Sequence, residues 1–181
     1  MDRCFAVDVI EKNRIKTILI IERKIVKNEN QRTAQGVKVN FLLQQDEDGY
    51  PPFSVESIWT IKNGNNSYIV DSIPFYVCNL SIEDEIAVKK KQGELFFDKI
   101  IKESQNSTMR IYCKNEVAIN RLKATLLNLG CKWEFSNIKS LSAVNVPSTS
   151  YIEVENIITL MKNEDEALGF EISCKRLKEN K

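Results

Sequence analysis

Residues 109–135 read MRIYCKNEVAINRLKATLLNLGCKWEF, and this stretch decides the fold. Met109-Arg110-Ile111-Tyr112-Cys113 has the composition of a strand. Asn115 then stands where a helix N-cap belongs, and Ala118, Ile119, Leu122, Leu126 and Leu129 fall on one helical stripe. Gly130 is placed to end that helix in the left-handed conformation. Downstream, Trp133-Glu134-Phe135 and Leu141 to Val146 read as two strands around a turn near Asn137, with Pro147 closing the second. Ser150 with Glu153 reads as a capping box for a helix through Ile157, Ile158 and Met161, terminated by Gly169. Phe170-Glu171-Ile172-Ser173-Cys174 is the last strand. The order βαββαβ is that of the ferredoxin-like split unit. Leu129-Gly130 and Leu168-Gly169, each followed by an aromatic-Glu pair, add a faint internal echo.

Upstream the texture changes. Residues 37–105 read as all-β: Val37 to Leu42 alternates at period two, and Phe53 to Ile61 is a second strand. Asn63-Gly64 is a strong hairpin signal, with Tyr68-Ile69-Val70 as the returning strand. Phe75-Tyr76-Val77, Ile86-Ala87-Val88 and Leu95-Phe96-Phe97 complete the set, the last two joined by a tip at Lys89 to Gly93. Short strands at this spacing predict a small antiparallel β-barrel or rolled sheet, because closure protects strand edges. Residues 1–36 hold β-branched runs and a polar stretch from Lys27, read as a β extension and linker. The expectation is therefore an α+β chain of three parts: an extension over 1–36, a β-barrel-like domain over 37–105 and a ferredoxin-like domain over 106–181.

Composition excludes several chemistries. The 181 residues contain no histidine, so a Ser-His-Asp or Cys-His relay and any His-ligated metal are impossible. The six glycines are scattered singly, leaving no phosphate-binding glycine loop. Cys4, Cys78, Cys113, Cys131 and Cys174 are odd in number and widely spaced, as free thiols in a reducing cytoplasm would be. The longest aliphatic run is Ile18 to Ile21, far short of a membrane span, and the N-terminus lacks a signal-peptide pattern. The reading is a cytoplasmic protein with no membrane partner, no metal and no cofactor. Net charge is +1, yet residues 37–105 hold 7 basic and 11 acidic side chains between mildly basic flanks. An acidic middle favours a basic partner and argues against direct nucleic-acid binding.

Two acidic clusters stand out. Asp46-Glu47-Asp48-Gly49-Tyr50-Pro51-Pro52 is the densest local signal. As a calcium loop it fails at both ends, since Gln44 and Val55 occupy the first and twelfth positions; a charged turn is the simpler reading. Glu83-Asp84-Glu85 has no histidine or second cluster to make it catalytic and reads as a solvated acidic turn. Asp46, Glu47, Asp48, Glu83, Asp84 and Glu85 are thus candidate partner contacts, with Tyr50 and Trp59 as aromatic anchors, although a strand position also suits Trp59 to the core. RNA-recognition domains share the βαββαβ order, but Ser140 to Val146 carries no aromatic, so the stacking platform is missing.

From Val37 to Glu134 the chain resembles a bacterial family of domains of unknown function. The resemblance rests on Phe41-Leu42-Leu43, Gln44 to Pro52, Ser54-Val55-Glu56 with Trp59, Ile73-Pro74-Phe75, Leu80 to Asp84, Ser107-Thr108-Met109-Arg110 and Leu129 to Glu134. Where the family usually has Ser-Gly-His, this chain has Ser104-Gln105-Asn106. In character such chains are similar to immunity proteins, which bind a cognate contact-dependent or polymorphic toxin and cover its active site. The resulting expectation is a non-enzymatic immunity protein with a basic toxin partner, such as a nuclease. A small-ligand or RNA-binding regulatory domain is the alternative.

Overall fold

The computed structural model describes residues 36–138 and 140–177. The strands and linker expected before Gly36 lie outside them. From Val37 onward the described residues form one compact unit. Among the described residues, nine strands and two helices follow in order: β1 (Gly36–Leu42), β2 (Val55–Lys62), β3 (Ser67–Val70), β4 (Glu85–Lys91), β5 (Glu94–Lys102), β6 (Asn106–Cys113), α1 (Glu116–Asn128), β7 (Lys132–Phe135), β8 (Leu141–Pro147), α2 (Tyr151–Glu164) and β9 (Leu168–Cys174).

β1 to β5 form one sheet in sequence order, closed on itself where β1 meets β5 in parallel, Asn40 opposite Phe96. Alternation fills its interior: Val39 and Phe41, Ile58, Tyr68 and Val70, and Ile86 and Val88 all point inward with Leu80. Phe41 stacks on Phe97 at 4.8 Å between ring centroids. Asn63-Gly64 does open a hairpin, but Asn63 N–H already bonds Ser67 C=O, so the turn takes in Asn65 and Asn66. The tight two-residue turn is Gln92-Gly93, both at positive φ, joining β4 to β5.

The second sheet has the order β7-β8-β6-β9, antiparallel throughout, with α1 and α2 on one face. Met109, Ile111, Val144, Val146 and Leu168 meet Ile119, Leu122, Leu126, Tyr151, Val154 and Ile158 there. Asn115 caps α1 by accepting from the N–H groups of Val117 and Ala118, and Gly130 takes a φ of +80° past its end. The second helix departs from expectation at both ends. Ser150 makes no side-chain cap bond: its backbone is already helical, and its hydroxyl instead donates to Leu129 C=O at 2.7 Å. Gly169 does not stop α2, which ends at Glu164; Gly169 lies inside β9 opposite Tyr112. The Leu-Gly echo is therefore not a structural repeat.

The other face of this sheet is covered by the chain itself. Phe75-Tyr76-Val77 is not a strand. It belongs to a loop over residues 71–84 that lies along the β6 and β8 side chains, where Ile73, Phe75 and Ile82 pack on Ala143. Ser81 Oγ bonds Thr108 Oγ1 at 2.8 Å, and Thr108 Oγ1 donates to Leu80 C=O. Such a loop has no ladder to satisfy its backbone, so side chains supply the partners. Glu56 on β2 does most of this, accepting the N–H groups of Phe75, Tyr76 and Val77 at 2.6, 2.9 and 2.8 Å.

Candidate functional site

Period two places Thr108, Arg110 and Tyr112 of β6 on the face away from the helices. Arg110 is 4% exposed, and a buried guanidinium must be paired and hydrogen-bonded. Its Nη1 donates to both oxygens of Glu171 on β9, at 3.2 and 3.1 Å, and its Nη2 donates to Val77 C=O at 3.2 Å and reaches Cys78 Sγ at 3.5 Å. Burial alone would lower the Arg110 pKa, but the Cys78 sulfur and the Glu171 carboxylate outweigh it and hold the group above its ordinary value. The Glu171 side chain remains about half exposed.

Opposite Arg110 lies the loop carrying the acidic cluster. Asp46 Oδ1 accepts from the N–H groups of Asp48 and Tyr50, and Asp46 N–H closes the turn on Tyr50 C=O at 2.7 Å. Gly49 sits at φ +78°, a conformation this tight turn requires. Gln45 Nε2 ties the loop down by donating to Pro51 C=O. These bonds turn Asp48 and Tyr50 toward β6. The Tyr50 ring meets Tyr76 edge-on at 6.2 Å, and Phe53 supports Tyr76 from 5.7 Å. The Tyr76 hydroxyl is buried without a hydrogen-bond partner, and burial, with Tyr50 and Glu56 nearby, raises its pKa.

Between loop and sheet lies a cavity of about 590 Å³, walled by Tyr50, Tyr76 and Tyr112, floored by Arg110 and Leu141, and edged by Asp48 and Glu171. A second cavity of about 760 Å³ shares Tyr50, Tyr76, Arg110 and Glu171 and runs on past Asp46, Cys78 and Asp98. The volumes lie within the ~300–1,000 Å³ range of small-molecule sites. Among the described residues, no group of three or more Cys, Asp and Glu gathers as metal ligands would.

The sequence-predicted contacts divide sharply. Asp46, Glu47, Asp48 and Tyr50 are exposed on one loop, and all but Glu47 line the cavities. Trp59 is not core: it is 48% exposed on β2, with Lys38 Nζ 4.9 Å above its ring, and lines neither cavity. The Glu83-Asp84-Glu85 run does not form a solvated turn. Asp84 is fully buried, accepting from Ser81 N–H at 2.9 Å and Ser104 N–H at 2.6 Å and pairing with Arg176 at 3.4 Å, so it offers no contact surface. Glu85 is engaged by Ser67 and Asn63, whose hydrogen bonds hold its pKa below the usual range. Glu83 alone of the three is exposed, at φ +70° and 3.5 Å from Lys132.

Sequence reasoning did not single out Arg110, Tyr76, Tyr112 and Glu171 as site residues. The available signal was a charge inside an otherwise buried strand, twice over: Met109-Arg110-Ile111 and Phe170-Glu171-Ile172. Opposite charges at such positions on one face are partners in waiting.

Residues 56–168 match the family model described as a domain of unknown function, DUF4265. The fold is similar to the crystal structure of a hypothetical protein from Neisseria gonorrhoeae, with a TM-score of 0.60 at 21% identity, over 78% of this chain and 98% of that one. No curated protein matches.

Proposed function

The chain belongs to the DUF4265 family, and from that premise we propose that it is a non-catalytic binding protein, a bacterial immunity protein that neutralises a cognate toxin domain by covering its active site. The observation that carries this reading is the pairing of an exposed acidic loop, Asp46 to Asp48, with an aromatic-walled cavity beside it. Both elements suit a partner interface: charge steers association and a pocket accepts an anchor. The negative loop suits a basic toxin, such as a nuclease, met in the cytoplasm, where Cys78, Cys113, Cys131 and Cys174 stay unpaired. In this reading the closed sheet is a small barrel and the β6-to-β9 half a ferredoxin-like unit. Co-expression with the proposed cognate toxin domain tests it: protection and a stable complex support the proposal, and neither appearing refutes it.

The size of the cavity favours small-ligand binding as a second reading. RNA binding on the sheet face is disfavoured, because the loop over residues 71–84 already lies on it. No described helix is long and apolar enough to cross a membrane.

A further inference from the structure

We infer that the cavity between the Asp46–Tyr50 loop and β6 is a socket for a single cationic side chain, an arginine, of a basic protein partner; this rests on the partner-binding reading above. Three observations carry the inference. The first is the walls: Tyr50 and Tyr112 are 48% and 43% exposed, so their ring surfaces are open to a guest, and Tyr76 closes the back. Aromatic faces carry negative potential and attract guanidinium or ammonium groups. One wall already does so, since Lys114 Nζ lies 5.8 Å from the Tyr112 ring centroid.

The second is charge. Among the residues lining the cavity, Arg110 is the one base against Asp48 and Glu171, so the lining is net negative, with Lys114 just outside it over Tyr112. The charge of Arg110 is met by Glu171, with Nη1 held by that carboxylate and Nη2 by Val77 C=O and Cys78, while its buried Nε has no hydrogen-bond partner. Glu171 is different, because its half-exposed carboxylate keeps lone pairs free for a second guanidinium. The third is shape. A planar guanidinium can lie against tyrosine rings while its fork of donors meets Asp48 and Glu171, a geometry that a lysine ammonium fills less well. The continuation into the second cavity leaves room for backbone on either side of the inserted residue.

The test is a titration of the intact protein with a short blocked peptide centred on arginine, against the same peptide with citrulline, which keeps the shape and loses the charge. An aspartate-centred peptide is the third arm. NMR shifts report the location. The arginine peptide is expected to shift the resonances of Tyr50, Tyr112 and Asp48, with citrulline binding about tenfold or more weaker. Tyr50→Ala and Asp48→Asn lie on an exposed loop and should each weaken arginine binding several-fold with the fold intact, while Trp59→Ala should leave it unchanged. Glu171→Gln is a secondary variant, since it also leaves Arg110 without its carboxylate partner. Equal binding of citrulline, preference for the aspartate peptide, shifts elsewhere, or no shifts at millimolar peptide would each overturn the socket. The partner reading fails separately. A toxin complex indifferent to Tyr50→Ala and Asp48→Asn removes the socket alone, whereas arginine-peptide binding with no toxin complex removes the immunity role alone.

Discussion

Glu56 and Asp84 show that an acidic side chain in this molecule can act first on its own backbone. Glu56 gathers three consecutive N–H groups of the loop that backs the cavity. Removing it leaves three donors without partners, so Glu56→Ala should cost about 2–3 kcal/mol in chemical denaturation. Amide exchange at Phe75, Tyr76 and Val77 should rise well beyond the global change, because the loop is released before the sheet. Asp84 is buried against two N–H groups and Arg176, and Asp84→Ala should cost about 3 kcal/mol by leaving the Ser81 and Ser104 N–H donors without their acceptor and taking from Arg176 one of its two carboxylate partners, the other being Glu103. The same residue read as an exposed contact would give a null result. Cysteines separate by burial. Among the described thiols Cys78 is exposed, whereas burial pushes Cys131 and Cys174 up to about 11. Maleimide at neutral pH should therefore label Cys78 quickly and the Cys131 and Cys174 thiols only on unfolding.

At the scale of elements, α1 is set by its two ends. Asn115→Ala removes the acceptor for two orphan N–H groups and should cost about 1 kcal/mol, and Gly130→Ala about the same by forcing a side chain into φ +80°. This helix was legible because its signals are local: a cap, a stripe and a glycine. So were β1, the β2–β3 hairpin and the order of elements from β6 to β9, all written in period and turn chemistry. The loop over residues 71–84 was not. Phe75-Tyr76-Val77 has the composition of a strand, but it finds its backbone partners in Glu56, about 20 residues away in sequence, and a carboxylate at that distance leaves no periodic trace. Ser150 failed as a cap for a similar reason, since the nearby end of α1 offers Leu129 C=O to its hydroxyl. For the site, half was readable: the acidic loop with Tyr50 was visible as a motif. Arg110 and Glu171 were not, because their meaning lies in a cross-strand pairing 61 residues apart.

In the whole molecule, buried protonated groups contribute stability that alkaline pH removes. Burial disfavours the thiolate and pushes Cys131 and Cys174 up to about 11 in the folded state, from an ordinary value of 9.0. The Tyr76 hydroxyl is raised in the same direction by burial, with Tyr50 and Glu56 adding to it. In each case the native state holds its proton more tightly than the unfolded chain. The stability from the two thiols is thus fully present below pH about 9 and is lost as pH climbs toward about 11. Urea midpoints measured across that window should fall steadily, with Cys131→Ala flattening part of the slope. The charge arithmetic changes meaning at this scale. The acidic excess of residues 37–105 is partly internal, engaged at Glu56, Asp84 and Glu85, and its densest outward run is the Asp46–Asp48 loop beside the cavity, with Glu83, Glu94 and Glu103 exposed elsewhere. On the proposed reading, that loop is where a basic partner docks. Calorimetric titration of the intact protein against its proposed cognate toxin domain, at low and at physiological salt, measures this directly. The expected result is a one-to-one complex whose affinity falls with salt and drops about tenfold or more on Asp48→Asn and Tyr50→Ala together. No heat of binding at either salt, or a complex insensitive to both salt and these substitutions, would contradict it.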